Sequence, residues 1–176
     1  MAKTVLGIFT VRQGAEDAIN ELKDLDYNPK DVSIVLRDKQ VKEEVEDNTG
    51  ANVAGGAVSG AAAGILLGGL AGLVASIAIP GLGAFFIGGP IAASLGLTGA
   101  AATTASGATT GALAGGILGA LSGFGLSDDE AKYYEERVNS GGILVAVPVR
   151  GDESGEVEDI FRKNDASDIK TIDSRV

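Results

Sequence analysis

Two stretches, GAVSGAAAGILLGGLAG (residues 56–72) and GATTGALAGGILGALSG (residues 107–123), dominate the organisation of this chain of 176 residues. Both place glycine at every fourth position, the spacing that lines one face of an α-helix. They lie within Asn48–Ser127, which contains no Asp, Glu, Lys or Arg although 22% of the chain is charged. We predict that ten glycines form helix-packing and oligomerisation faces: Gly56, Gly60, Gly64, Gly68, Gly72, Gly107, Gly111, Gly115, Gly119 and Gly123.

The larger apolar residues of both stretches fall on the opposite side of the predicted helices. In the first stretch this stripe continues as far as Ile77. Small residues every four positions allow two helix backbones to approach closely. The pattern predicts helices at Gly56–Leu73 and Gly107–Phe124 that form an αα-hairpin with their glycine faces together. The two leucine faces then point outward and require lipid, another protomer or the rest of the chain to cover them.

Proline and glycine mark the connection between the two predicted helices. Ile79–Gly83 and Gly88–Pro90 indicate turns, and a short helix is expected from Ile91 to Leu97. Gly81-Leu82-Gly83 does not indicate a nucleotide-binding loop, because Phe86 occupies the place of the third glycine in that motif.

The composition disfavours most enzymatic and nucleic-acid-binding functions. The chain has a formal net charge of −10 and contains no cysteine and no histidine. Nucleic-acid binding requires a basic face, and histidine is the commonest general base. We therefore predict a non-enzymatic protein with no catalytic residues, no cofactor, no metal site and no nucleic-acid partner. The acidic run Asp128–Glu130 is interpreted as a helix cap rather than as a weak site for a divalent metal.

The charged flanks predict an α+β domain. Before the insertion we predict a strand at Val5–Thr10, a helix from Gln13 to Leu25 and a strand at Val32–Leu36. After it, a helix begins at a capping box on Ser127 and ends near Asn139. A strand at Ile143–Val149, a helix at Glu153–Asn164 and a last strand at Ile169–Ile172 follow. Apart from the helix that follows Ser127, this is the β-α-β-β-α-β ferredoxin-like plan. That plan has a four-stranded antiparallel sheet with helices on one face. Residues 1–47 and 128–176 form this discontinuous domain, and the glycine-zipper helical hairpin of residues 48–127 interrupts it.

Three interpretations of the zipper hairpin remain open from the residues alone: membrane insertion, a soluble assembly of several protomers, and a hairpin folded back on its own sheet. A helix over Val53–Ile79 is long enough to cross a bilayer and carries no charge, but it is mostly Gly and Ala. If it crosses a membrane, the insertion must cross an even number of times, because both of its ends return to one sheet. The soluble alternative is an assembly in which hairpins of several protomers bury one another's leucine faces. The N-terminus does not read as a signal peptide, so the charged domain is expected in the cytoplasm.

Several segments resemble a bacterial family of general stress proteins, the general stress protein 17M-like or YflT-like group, which includes low-temperature-induced proteins of cyanobacteria. The resemblance rests on Val5–Thr10, Asp31–Val35, the zipper block, and Asp128–Glu136 leading into Ser140–Val145. It implies a stress-induced, non-enzymatic protein with a glycine-zipper segment that is often membrane-associated. It implies no catalytic residues.

Overall fold

The computed structural model describes residues 3–28, 31–37, 74–79, 83–91, 116–150 and 152–173. Their strands are β1 (Lys3–Phe9), β2 (Ser33–Arg37), β3 (Val74–Ile79), β4 (Gly83–Gly88), β5 (Ile143–Val149) and β6 (Ala166–Asp173). The helices are α1 (Arg12–Asp24), α2 (Gly116–Gly123), α3 (Asp128–Asn139) and α4 (Ser154–Lys163).

All six strands belong to one antiparallel sheet in the order β3-β4-β2-β5-β1-β6. The uninterrupted apolar run of β5 predicts a central strand, and the structure confirms this. β5 lies between β2 and β1, with Val35 opposite Leu144 and Val5 opposite Val147. A strand covered on both faces needs apolar residues at successive positions rather than alternate ones.

The sheet is covered by helices on both faces. Leu6 and Ile8 of β1 belong to one core cluster, together with α3 and residues of α2. Val5 and Phe9 of the same strand belong to a second cluster, with α1 and α4. Successive side chains of a strand point to opposite faces, so β1 contributes to both layers. The expectation of helices on one face is therefore corrected, because α3 and α2 cover the other face.

The flank elements agree with the sequence-based prediction to within a few residues. The capping box is present, since Ser127 Oγ accepts from the Glu130 amide and Glu130 Oε2 accepts from the Ser127 amide. The last strand is longer than predicted, because it begins at Ala166 rather than at Ile169. Its extra residues, Ala166, Ser167 and Asp168, are small or polar and half-buried at the sheet edge, so they carry no apolar pattern from which a strand could be predicted.

The insertion contributes two strands to the sheet, which corrects the predicted architecture. β3 and β4 pair with each other in register, and β4 pairs with β2 through contacts such as Val35 opposite Ile87. The assignment of Ile77 to a helical stripe is therefore wrong. The four flank strands pair antiparallel as predicted, and within the described residues β3 and β4 extend this sheet to six strands. A short apolar run does not distinguish a strand from a buried helix by periodicity alone. Strands are favoured here by Pro80-Gly81 between the two apolar runs, by Gly89-Pro90 after them and by the residues FFI of β4.

Much of the zipper lies outside the described residues. The first predicted helix lies outside them, and so do eight of the ten predicted packing glycines: Gly56, Gly60, Gly64, Gly68, Gly72, Gly107, Gly111 and Gly115. The end of the second predicted helix is described and is helical, as α2, with Gly119 and Gly123 on it. Pro90 and Ile91 have helical backbone conformation, and the remainder of the short helix expected there lies outside the described residues.

Candidate functional site

The side of α2 that carries the zipper glycines faces away from the core. Ile117 and Leu121 are 0% exposed and belong to the core cluster on the α3 face of the sheet. Gly119 and Gly123 are exposed, and a Cβ atom added to either would meet no atom of the described residues within 4 Å. On this helix the large side chains lie opposite the glycines, as the sequence predicts, and of the predicted coverings the structure selects the rest of the chain. The sheet covers the large side chains, and within the described residues the two glycine positions are open.

A local motif determines where α2 ends. The Leu126 amide donates to the Leu121 carbonyl at 3.3 Å and the Gly125 amide donates to the Ser122 carbonyl at 3.1 Å. Gly125 has φ +108°, a conformation that glycine adopts without steric cost. These features define a Schellman C-cap, whose apolar contact is supplied here by Leu121 and Leu126 of one core cluster. The cap and the capping box of α3 together hold the two helices beside each other.

A polar cluster lies at the opposite edge of the molecule from β3, on the edge strand β6. In the β1–β6 register Leu6 is opposite Lys170 and Ile8 is opposite Ser167. Gly7 is therefore opposite two residues, Asp168 and Ile169, which is a β-bulge. Asp168 has φ +52°, an uncommon value for a residue with a side chain.

Three residues of α3 hold Asp168 in this conformation. Tyr133 Oη donates to Asp168 Oδ1 at 2.8 Å, and Arg137 donates to Oδ2 from Nε at 2.8 Å and from Nη2 at 2.7 Å. Tyr134 Oη donates to the Asp168 backbone carbonyl at 2.7 Å. We call Tyr133, Tyr134, Arg137 and Asp168 the bulge cluster. It joins the helix α3 to the edge strand.

The electrostatics of the bulge cluster favour a charged Asp168 and neutral tyrosines. Burial acts to raise the pKa of Asp168, but the hydrogen bonds from Tyr133 and Arg137 together outweigh it, and the pKa lies below its ordinary value. Burial, with the nearby Asp168 charge, raises the pKa of Tyr134 to about 12. The hydrogen bond to Asp168 raises the pKa of Tyr133. Every one of these groups has a partner within the cluster, so its geometry indicates a brace for the bulge rather than a group poised for proton transfer.

The two adjacent tyrosines differ in exposure. Tyr134 is 3% exposed and packs in the core, and Tyr133 is 45% exposed. What sequence analysis missed is their shared partner, Asp168. Asp168 lies 35 residues after Tyr133 and 34 after Tyr134 in the chain. The sequence around Asp168 contains no pattern that predicts a bulge.

Two further observations concern the predicted site types. Within the ranges that the structure describes, no three His, Cys, Asp or Glu side chains are grouped closely enough to hold a metal ion. No helix in the same ranges combines the length and the apolar character needed to cross a bilayer.

Comparison with known proteins gives a match to a family model over part of the chain. The family model described as heat induced stress protein YflT domain matches residues 4–80, from β1 to the residue after β3. No curated protein and no solved structure matches the chain. The resemblance of Asp128–Val145 to the same group lies outside the matched range. Over residues 4–80, the resemblance to the YflT group that the sequence predicts is confirmed as a match to this domain model.

Proposed function

We propose that the chain is a non-enzymatic stress-response protein that associates with copies of itself through the glycine face of the zipper, of which Gly119 and Gly123 are the described part. The family match supports the stress-response role. The observation that carries the self-association is that no atom of the described residues lies within 4 Å of a Cβ added at Gly119 or Gly123 of α2, while the apolar residues of this helix are already buried.

The helix propensity of α2 supports a partner on that face. Each glycine in a helix interior costs about 1 kcal/mol relative to alanine. Gly119 and Gly123 each have open space where a Cβ would be, so no contact within the described residues requires glycine there. Close approach of another helix backbone is an interaction that glycine permits and larger residues prevent. The other zipper helix that the sequence predicts could supply such a helix, and so could the same face of a second copy, which is the source that we propose.

The architecture that we propose is a ferredoxin-like domain extended by its own insertion. The four strands from the flanks lie in the order β2-β5-β1-β6, with α1 and α4 in contact with the same cluster on one face. This order and covering support the ferredoxin-like plan. The insertion supplies β3 and β4 beside β2, and α2 on the face opposite α1 and α4.

Membrane association is the alternative function. It is supported by the uncharged composition of residues 48–127. The burial of Ile117 and Leu121 favours self-association, because this part of the predicted leucine face is occupied by the protein's own core. We propose a cytoplasmic domain, no cofactor, and no nucleic-acid partner, the last from the net charge of −10.

The test replaces Gly119 in the full chain and compares the variants by detergent-free fractionation and by mass in solution. Gly119→Leu is expected to reduce the mass of the assembly, and Gly119→Ala to retain it because alanine is still small. Gly155→Leu is the matched control, because Gly155 of α4 is also exposed, with open space at its Cβ position.

An assembly of the same mass in Gly119→Leu and wild type contradicts self-association through this face. Recovery of the wild type only from membranes, with release by detergent, selects the membrane alternative instead.

A further inference from the structure

The two edges of the sheet differ in a way that points to a second contact between copies of this chain. We propose that β3 pairs antiparallel with β3 of a second copy, so that the two sheets become continuous across a two-fold axis. This contact uses backbone groups of a strand and does not involve the glycine face of α2. It therefore goes beyond the proposed function and can be tested separately.

The β6 edge carries several features that prevent strand addition. The bulge at Asp168 interrupts the regular spacing of its backbone groups, and the φ of +52° there is incompatible with a regular strand. The bulge cluster holds this distortion in place through Arg137 and the two tyrosines. Lys170 and Asp173 add charges to the same strand. Bulges and charged residues are the devices by which proteins protect sheet edges.

The β3 edge has none of these devices. The strand is VASIAI, with no charged residue, no proline and no interruption in its register with β4 from Val74 to Ile79. Within the described residues, β3 pairs with β4 alone. A row of backbone N–H and C=O groups on an uncharged edge strand is a template for another strand.

Charge explains why a second copy fits this edge. The chain has a net charge of −10, so most contacts between two copies place acidic groups near each other. Neither β3 nor β4 contains a charged residue, and the pairing of β3 with its own copy brings no like charges into opposition. An antiparallel pair of identical strands also satisfies two-fold symmetry, the commonest arrangement of homo-oligomers.

The protected β6 edge determines where such pairing stops. After two copies join through β3, the free edges of the combined sheet are the two β6 strands. Both carry the Asp168 bulge, so a third copy cannot add to either edge by regular pairing. The predicted product of this contact is a closed dimer rather than a filament.

The experiment compares the full-length wild type with Ser76→Lys, which places a charge in the middle of β3, and Thr171→Lys, which places the same charge on β6. Mass is measured in solution by light scattering, and circular dichroism monitors the fold. The Gly119→Leu background removes any assembly through the glycine face. In that background we expect a dimer, halving of the mass by Ser76→Lys, and no change of mass by Thr171→Lys.

Hydrogen exchange of the β3 amides gives a second readout that does not depend on a variant. We expect the alternate amides that face away from β4 to be protected in the dimer and to exchange at least tenfold faster after dilution to monomer. A dimer of unchanged mass in Ser76→Lys overturns the proposal. So does a wild-type monomer whose β3 amides are all protected, which would mean that the chain covers its own edge.

The outcomes for the two contacts are distinguishable. A dimer that is sensitive to Ser76→Lys but not to Gly119→Leu supports the edge contact and contradicts the proposed glycine face. A mass that responds only to Gly119→Leu gives the opposite result.

Discussion

Arg137 of α3 and Asp168 of β6 are joined by two hydrogen bonds to one carboxylate oxygen, from Nε at 2.8 Å and from Nη2 at 2.7 Å. Since Asp168 lies in the bulge of an edge strand, this pair connects the distortion of the edge to a helix that packs in the core. Bonds of this kind, with charge on both partners, are stronger than hydrogen bonds between neutral groups. The pair therefore contributes both to stability and to the shape of the β6 edge.

Asp168→Asn tests the charge of this pair while keeping a side chain that tolerates positive φ. The pKa of Asp168 is lower in the folded protein than its ordinary value of 3.8, so the carboxylate stabilises the fold above that pH. This contribution is lost as the pH falls through the folded pKa. We expect the variant to have a lower free energy of unfolding at pH 7, and the difference from wild type to shrink below about pH 4. Urea unfolding at a series of pH values measures it, and a difference that does not vary with pH contradicts the assignment.

Tyr134→Phe removes the donor to the Asp168 carbonyl and leaves the ring in the core. The expected loss is about 1 kcal/mol in the free energy of unfolding at neutral pH. The folded pKa of about 12 exceeds the ordinary tyrosine value of 10.0, so the stabilisation is present below pH 10 and is lost as the pH rises toward 12. The variant is therefore expected to show a shallower alkaline loss of stability than wild type. The control is Tyr133→Phe, because the Tyr133 ring is partly exposed, and an equal loss in both variants contradicts a special role for Tyr134.

Gly7→Ala tests the packing of β1 opposite the bulge. A Cβ on Gly7 would lie 2.6 Å from Cδ2 of Phe161, whose ring is buried and contacts Phe9 edge to face with centroids 5.3 Å apart. Overpacking of this kind costs roughly 1–3 kcal/mol. Thermal and urea denaturation of Gly7→Ala, Phe161→Leu and the double variant measure the coupling between the two positions. We expect the double variant to be more stable than the sum of the single effects predicts, and simple additivity contradicts the close contact.

Deletion of residues 48–127, with a short flexible linker from residue 47 to residue 128, tests whether the flank domain is independent. The sequence alone allows a folded product. The structure predicts a strongly destabilised one, because the deletion removes β4 from the edge of β2 and removes five buried side chains of the described residues: Ile91, Ile117, Leu121, Phe124 and Leu126. Loss of one large buried side chain costs about 2–5 kcal/mol. A deletion protein that unfolds cooperatively with wild-type stability contradicts this prediction.

The flank domain was accessible from sequence because its signals are local. The capping box at Ser127 and Glu130, the apolar faces of α1, α3 and α4, and the continuous apolar run of β5 each depend on residues close together in the chain. Such patterns act over one or two turns of helix or one strand, so they predict both the type of an element and its approximate bounds.

The partners of these elements depend on contacts between residues far apart in the chain. The run Val74–Ile79 is short and apolar, with a composition that both a helix and a strand accept, and pairing through β4 onto β2 selects the strand. The spacing of four in Gly119 and Gly123 correctly predicts a helix, but only the packing of Ile117 and Leu121 on the sheet determines which side of that helix faces outward.

By itself, the sequence determined the charged α+β domain, its helix caps, the uncharged insertion and the resemblance that the YflT family match confirms over residues 4–80. Only the tertiary structure decided that the insertion extends the sheet, that helices cover both of its faces, and that Asp168 is held in a bulge by α3. The physical reason is that propensity and periodicity act between near neighbours in the chain, whereas strand pairing and burial are settled by whichever distant residues supply the missing hydrogen bonds and apolar contacts.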